Sequence, residues 1–201
     1  LPEEVLAAAD AAVAAGGGEG AWVLKGVAQR ELDLADAAID TFRAALLRHP
    51  ESFPLRYNLA ACQLAVGDLP GAEQGFAQLA QARPRDASAW LGWGNALSML
   101  GDLARAEGAL RRAAALDPEL AGLRTQLALL LIRSDRAAEA LPLLRTTLAR
   151  ERGDQAAAGA LGIAAALAGD EAARAFDDLD HLVACAPIEV SALLNQGSPR
   201  S

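Results

Sequence analysis

The chain has 201 residues, of which 53% are apolar but only 4% aromatic, with a formal net charge of −8 at neutral pH. Much alanine and leucine with few aromatic side chains favours helix over sheet. The acid excess argues against nucleic acid or an anionic membrane as partner, because both need a basic face, and no charge-free apolar run reaches the roughly 18 residues needed to insert in a membrane.

Residues 2–15 read as a first helix, with Pro2 near its start, Glu3 and Glu4 in its first turn, and Gly16, Gly17 and Gly18 as its stop. This stretch, residues 1–18, is expected to be a capping helix or a partial repeat. From Glu19 onward the chain repeats itself. The pair Gly67-Asp68 returns 34 residues later as Gly101-Asp102, Ala72 as Ala106, Phe76 as Leu110 and Pro84 as Pro118. The frame divides the chain into residues 19–52, 53–86, 87–120 and 121–154, then 155–189, where one inserted residue after the Gly169-Asp170 turn displaces Ala175, Leu179 and Pro187. Arg152 stands where the fourth proline belongs. Each repeat carries two helix-forming runs joined by a turn.

The turns have a local cause. Glycine tolerates a left-handed helix end, and aspartate caps the next helix. Gly67-Asp68, Gly101-Asp102 and Gly169-Asp170 meet both needs, whereas Leu32-Asp33 and Ser134-Asp135 are expected to be poorer turns. Small residues allow the paired helices to approach: Gly26, Ala60, Gly94, Ala128 and Gly162 on the first helices, Ala38, Ala72, Ala106, Ala140 and Ala175 on the second. Phe42, Phe76, Leu110, Leu144 and Leu179 fill the space toward the next pair. Residues 188–195 suit a short closing helix; over residues 190–201 that helix ends and a polar tail follows, which should fray.

These positions resemble the tetratricopeptide repeat (TPR) pattern W-x2-L-G-x2-Y…A-x3-F…P over about five repeats of bacterial type. Leu97 and Leu131 replace its tyrosine and Lys25 replaces its first leucine. The resemblance implies an all-α fold, a right-handed α-α superhelix of antiparallel helix pairs, closed at its end by an extra helix.

No residue set looks catalytic. His49 sits at a helix end where a cation suits the dipole, and His181 follows Asp177 and Asp178, an arrangement that reads as an exposed ion pair. Metal-binding Cys or His spacings, phosphate loops and nucleophile elbows are absent from the sequence. Cys62 and Cys185 lie in apolar helical runs more than three repeats apart, too far for a disulfide, so reduced buried thiols and a cytoplasmic location are expected. Trp22, Trp90 and Trp93 occupy the pattern's own Trp and Leu places and read as packing residues. No cofactor, no metal and no enzymatic activity are expected.

The resemblance further implies a concave face lined by the first helices, with inward places that recur in each repeat. In the first repeat these give Val23, Val27, Arg30 and Glu31. The candidate peptide-binding residues are Tyr57, Asn58 and Leu64 in the second, Leu91, Asn95 and Met99 in the third, and Gln126, Leu129 and Ile132 in the fourth. The lysine, arginine and asparagine clamp by which chaperone-binding members of the family grip a peptide carboxylate would fall on Val23, Val27, Asn58, Ser88 and Gly92; only Asn58 fits, so no such clamp is expected. An apolar face with amide groups suits an apolar or amphipathic peptide or helix, unless the chain's own ends fill it.

The expected function is therefore a non-catalytic scaffold for another protein. An alternative makes the chain the N-terminal targeting module of a larger enzyme, since residues 176–190 look like the junction that follows TPR arrays in some bacterial 2-oxoglutarate/iron oxygenase-like proteins. The start at Leu1 is expected to mark a processed product or a piece of a longer chain. Self-association through the apolar faces of terminal repeats is a third possibility.

Overall fold

The computed structural model describes residues 2–150 and 153–168. Arg152, the Gly169-Asp170 turn, the inserted residue, Ala175, Leu179 and Pro187, His181, Cys185, the junction-like stretch 176–190 and the closing helix and tail lie outside the described residues.

Ten helices and no strand are found among the described residues: α1 (Pro2–Ala14), α2 (Glu19–Glu31), α3 (Ala35–Leu46), α4 (Phe53–Ala65), α5 (Leu69–Ala82), α6 (Ala87–Leu100), α7 (Leu103–Leu116), α8 (Leu123–Arg133), α9 (Ala137–Arg150) and α10 (Gln155–Ala168). They fall into two compact units, residues 1–118 and residues 119–201.

In the first unit each helix packs on the next, from α1 through α7. Capping marks where helices begin. Ser52 accepts from the Leu55 N–H, Asp68 from Gly71, Asp86 from Ala89 and Asp102 from Arg105, starting α4, α5, α6 and α7. Gly67 and Gly101 take left-handed angles, φ 82° and 87°, that reverse the chain into those caps. The turn between α2 and α3 solves the same problem differently. Asp33 itself takes the left-handed place, φ 59°, and Leu34 stands at the cap of α3 with no side-chain bond. The Asp135 turn of the second unit repeats this, φ 58°. The aspartate thus replaces the glycine and not the cap, which puts a residue with a Cβ into a region that only short polar side chains enter at modest cost.

The seam between helices is made of small residues against large ones. Ala38, Ala72 and Ala106 are fully buried, as are Phe42, Phe76 and Leu110. A Cβ at Gly26 would overlap the Phe42 ring, one at Gly94 the Leu110 side chain, and one at Gly92 the Phe76 ring. Phe76 on α5 therefore spans from its own pair to α6. Lys25, out of pattern, forms a 2.7 Å ion pair with Asp10 of α1.

In the second unit α8 packs on α9, α9 on α10, and α8 on α10. Its core joins Ala128 and Ile132 to Ala140, Leu144, Leu161 and Ala164. Asp154 caps α10 through the Ala157 N–H, 2.9 Å, and accepts the Thr125 hydroxyl of α8, 3.3 Å.

Candidate functional site

Within the first unit the odd and even helices differ. The first helices of the repeats touch directly, α2 on α4 and α4 on α6, while α3, α5 and α7 do not meet one another to that extent. The first helices therefore line the shorter, inner side. This inner face is set by repeat geometry: a residue at a given place in α2 recurs at the same place in α4 and α6.

Tyr57, half-buried on α4, is held by two rings: Phe76 packs on it edge-on with centroids 5.4 Å apart, and Phe53 stacks at 6.3 Å. Burial pushes its hydroxyl pKa up; the Asp86 carboxylate pushes the same way and the Arg30 guanidinium opposes it. Leu64, half-buried, leans on the cluster of Ala60, Ala72 and Phe76. Asn58 is half-buried and donates one amide N–H to the Pro54 carbonyl at 2.8 Å, which leaves its second N–H and its carbonyl oxygen. On α6, Leu91 and Asn95 are half-buried and Met99 is 39% exposed. The Asn95 Oδ1 is closed off from solvent and has no hydrogen-bond partner.

One expected inner place is not open: Gly92 is covered by the Phe76 ring. One inner residue escaped the sequence reading: Leu24 on α2, 56% exposed, shares the sixth place of the repeat with Asn58. The same frame that picked Asn58 points to it.

Gln126, Leu129 and Ile132 belong to the second unit. Gln126 is half-buried, and Leu129 packs against the unit's core. Ile132 corrects the expectation: only 6% exposed, it belongs to the core with Ala137, Leu141 and Ala165. Burying this branched side chain in the seam of α8 with α9 and α10 removes apolar area from water, which leaves none to offer a ligand.

The remaining candidates for chemistry are packing groups. Trp90 donates to the Pro84 carbonyl at 3.1 Å and Trp93 to Glu73 at 3.0 Å. Cys62 is fully buried, and burial pushes its thiol pKa up, which holds it protonated and inert. His49 lines an open cleft of about 350 Å³ with Glu19 and Glu51. Among the described residues there is no grouping of three His, Cys, Asp or Glu that would hold a metal, and no helix long and apolar enough to cross a membrane.

The helix-pair architecture is that of known solved structures. The chain is similar to a thermophilic TPR protein of Thermus thermophilus, at 24% identity over 89% of this chain and 100% of that one, with a TM-score of 0.68. It is also similar to a tetratricopeptide repeat protein of Parabacteroides merdae, at 16% identity over 88% and 70% of the two chains, TM-score 0.68. PilF of Pseudomonas aeruginosa matches at 18% identity over 90% and 77%, TM-score 0.66. No curated protein matches the sequence. The model of one sequence family, described as the Cilia and flagella-associated protein 70 C-terminal domain, matches residues 2–176. With most of its length inside that match, the chain belongs to this tetratricopeptide-repeat family.

Proposed function

We propose that the chain is a non-catalytic scaffold that holds an apolar or amphipathic segment of another protein on the inner face of its first unit. The observation that carries this reading is the pair α4 and α6. Met99 is exposed and Leu91 and Asn95 are half-buried on α6, Asn58 and Leu64 are half-buried on α4, on which α6 packs directly, and Leu24 is exposed on α2; this supports an apolar face with some amide groups. Apolar surface beside a few fixed polar groups is the pattern of helix-in-groove recognition. Gln126 and Leu129 are the corresponding contacts proposed for the second unit. The net charge of −8 repels phosphate, which leaves nucleic acid and anionic membranes out of the proposal. A cytoplasmic setting with reduced thiols belongs to the same reading.

The test is Leu91→Glu. The substitution is expected to abolish binding of a fluorescent amphipathic helical peptide while circular dichroism and the unfolding midpoint stay at wild-type values. Unchanged peptide binding would place the contact elsewhere. Light scattering at rising concentration separates this from stacking of copies end to end, which would raise the measured mass.

A further inference from the structure

Three of the apolar side chains that the first unit leaves exposed stand at equivalent places. Leu34, Val66 and Leu100 are 48, 43 and 44% exposed. Leu34 directly precedes α3, Val66 directly follows α4, and Leu100 ends α6, so each sits where the first helix of a repeat turns into the second. Paired helices run antiparallel, which puts these turns at one edge of the unit. The direct packing of α2 on α4 and of α4 on α6 sets them side by side, about 10 Å apart. A single exposed leucine is ordinary, but one apolar residue in each of three consecutive turns makes a row.

The same edge carries most of the unit's charge imbalance. The last turn of each first helix, the connection and the first turn of each second helix together hold the carboxylates of Glu31, Asp33, Asp36, Asp68 and Asp102. The cations there are Arg30 and Arg105, and Arg105 is already engaged by Asp102 and Glu73. The helix α1, antiparallel to α2, starts on this side with Glu3 and Glu4. The opposite edge, over the equivalent stretches, is balanced. Arg43, Arg48, Arg56, Arg83 and Arg85 stand there against Glu19, Glu51, Asp86 and Asp117.

We propose that this turn edge is a second docking surface, separate from the inner face, and that its occupant is a basic amphipathic helix of another protein. The helix lays its apolar stripe along Leu34, Val66 and Leu100 and sets its lysines or arginines among the surrounding carboxylates. Three turns in a row span about 20 Å, the length of a helix of about 14 residues. An acidic segment would meet like charge, and a second copy joined through the same edge would set these carboxylates against themselves.

The experiment uses the full chain carrying Leu91→Glu, directed at the inner face, so that the edge is read by itself. Two fluorescent helical peptides share one leucine face and carry either lysine or glutamine elsewhere, and anisotropy reads binding at low salt. The lysine peptide is expected to bind at least about tenfold more tightly than the glutamine peptide. Asp33→Asn with Asp36→Asn is expected to reduce that preference severalfold. Asparagine tolerates the left-handed angle at position 33, so the turn is kept. Val66→Ser with Leu100→Ser, both at exposed positions, is expected to weaken both peptides. Glu19→Gln with Glu51→Gln removes the same charge from the opposite edge and should change little. Circular dichroism checks that every variant keeps its helix content. No binding of the lysine peptide, equal binding of the two peptides, or an opposite-edge effect as large as that of the Asp33 and Asp36 pair overturns the inference. So does a mass by light scattering that doubles without peptide and falls back in Val66→Ser with Leu100→Ser, which makes the occupant a second copy. Each of these outcomes leaves the groove reading standing.

Discussion

The indole N–H of Trp93 on α6 donates to the Glu73 carboxylate on α5 at 3.0 Å, and so ties the third repeat to the second. Arg105 of α7 donates to the same oxygen at 3.1 Å and lies over the Trp93 ring. Three helices therefore converge on one side chain that is only 24% exposed. Glu73→Ala leaves the indole N–H without a partner and is expected to cost about 1–2 kcal/mol, the range for bonds to a charged group that is partly solvated. Glu73→Gln keeps an acceptor and should lose less. Urea unfolding, followed by Trp fluorescence, measures both.

The fit of Phe76 over Gly92 predicts a cost for a single methyl group. Gly92→Ala forces the ring to shift in a seam that is already closed, at about 1–3 kcal/mol. The pair Gly92→Ala with Phe76→Leu should recover part of that loss, because the smaller side chain leaves room. A double-mutant cycle with no recovery would mean that the two positions do not press on each other.

The turn between α2 and α3 has room for improvement. In the second repeat Asp68 caps α5 and also accepts from Gln63 at 2.8 Å. In the first repeat Leu34 stands in its place, and Gln29, the counterpart of Gln63, has a buried oxygen without a partner. Leu34→Asn supplies the missing cap without adding charge beside Asp33 and Asp36. It should stabilise the fold by about 1 kcal/mol and raise the thermal midpoint. An unchanged midpoint would show that the cap geometry is not restored.

Acid should loosen the second unit through Glu119. Arg124 donates to its carboxylate at 2.6 Å and Arg150 to its other oxygen, and the bond from Arg124 is the main reason its pKa lies below the ordinary 4.5. A carboxylate whose pKa is lower in the folded than in the unfolded chain stabilises above the unfolded value and loses that contribution as pH falls through the folded one. Glu119→Gln should therefore lower the unfolding midpoint at neutral pH, and the gap from wild type should close as the pH falls below the ordinary carboxylate range and through the lowered folded-state pKa. High salt should narrow it as well, since these groups are exposed.

Much of the architecture was legible in the residues because it is set locally. A Gly-Asp pair ends one helix and caps the next through contacts three or four residues apart, and its return every 34 residues dictates helix pairs. Even the poorer turns at Asp33 and Asp135 betray themselves by lacking one member of that pair, although which member aspartate replaces emerges only from the backbone angles. The inner face is another matter. Repeat frame alone treats Leu24, Gly92 and Ile132 as equals, yet Leu24 stands open, Gly92 lies under a ring from α5, and Ile132 is enclosed in the core with α9 and α10. Whether a side chain meets water or a neighbour depends on helices that pack beside it from elsewhere in the chain. Local chemistry settles where each helix starts and stops; close packing between helices settles which of its faces remains to be used.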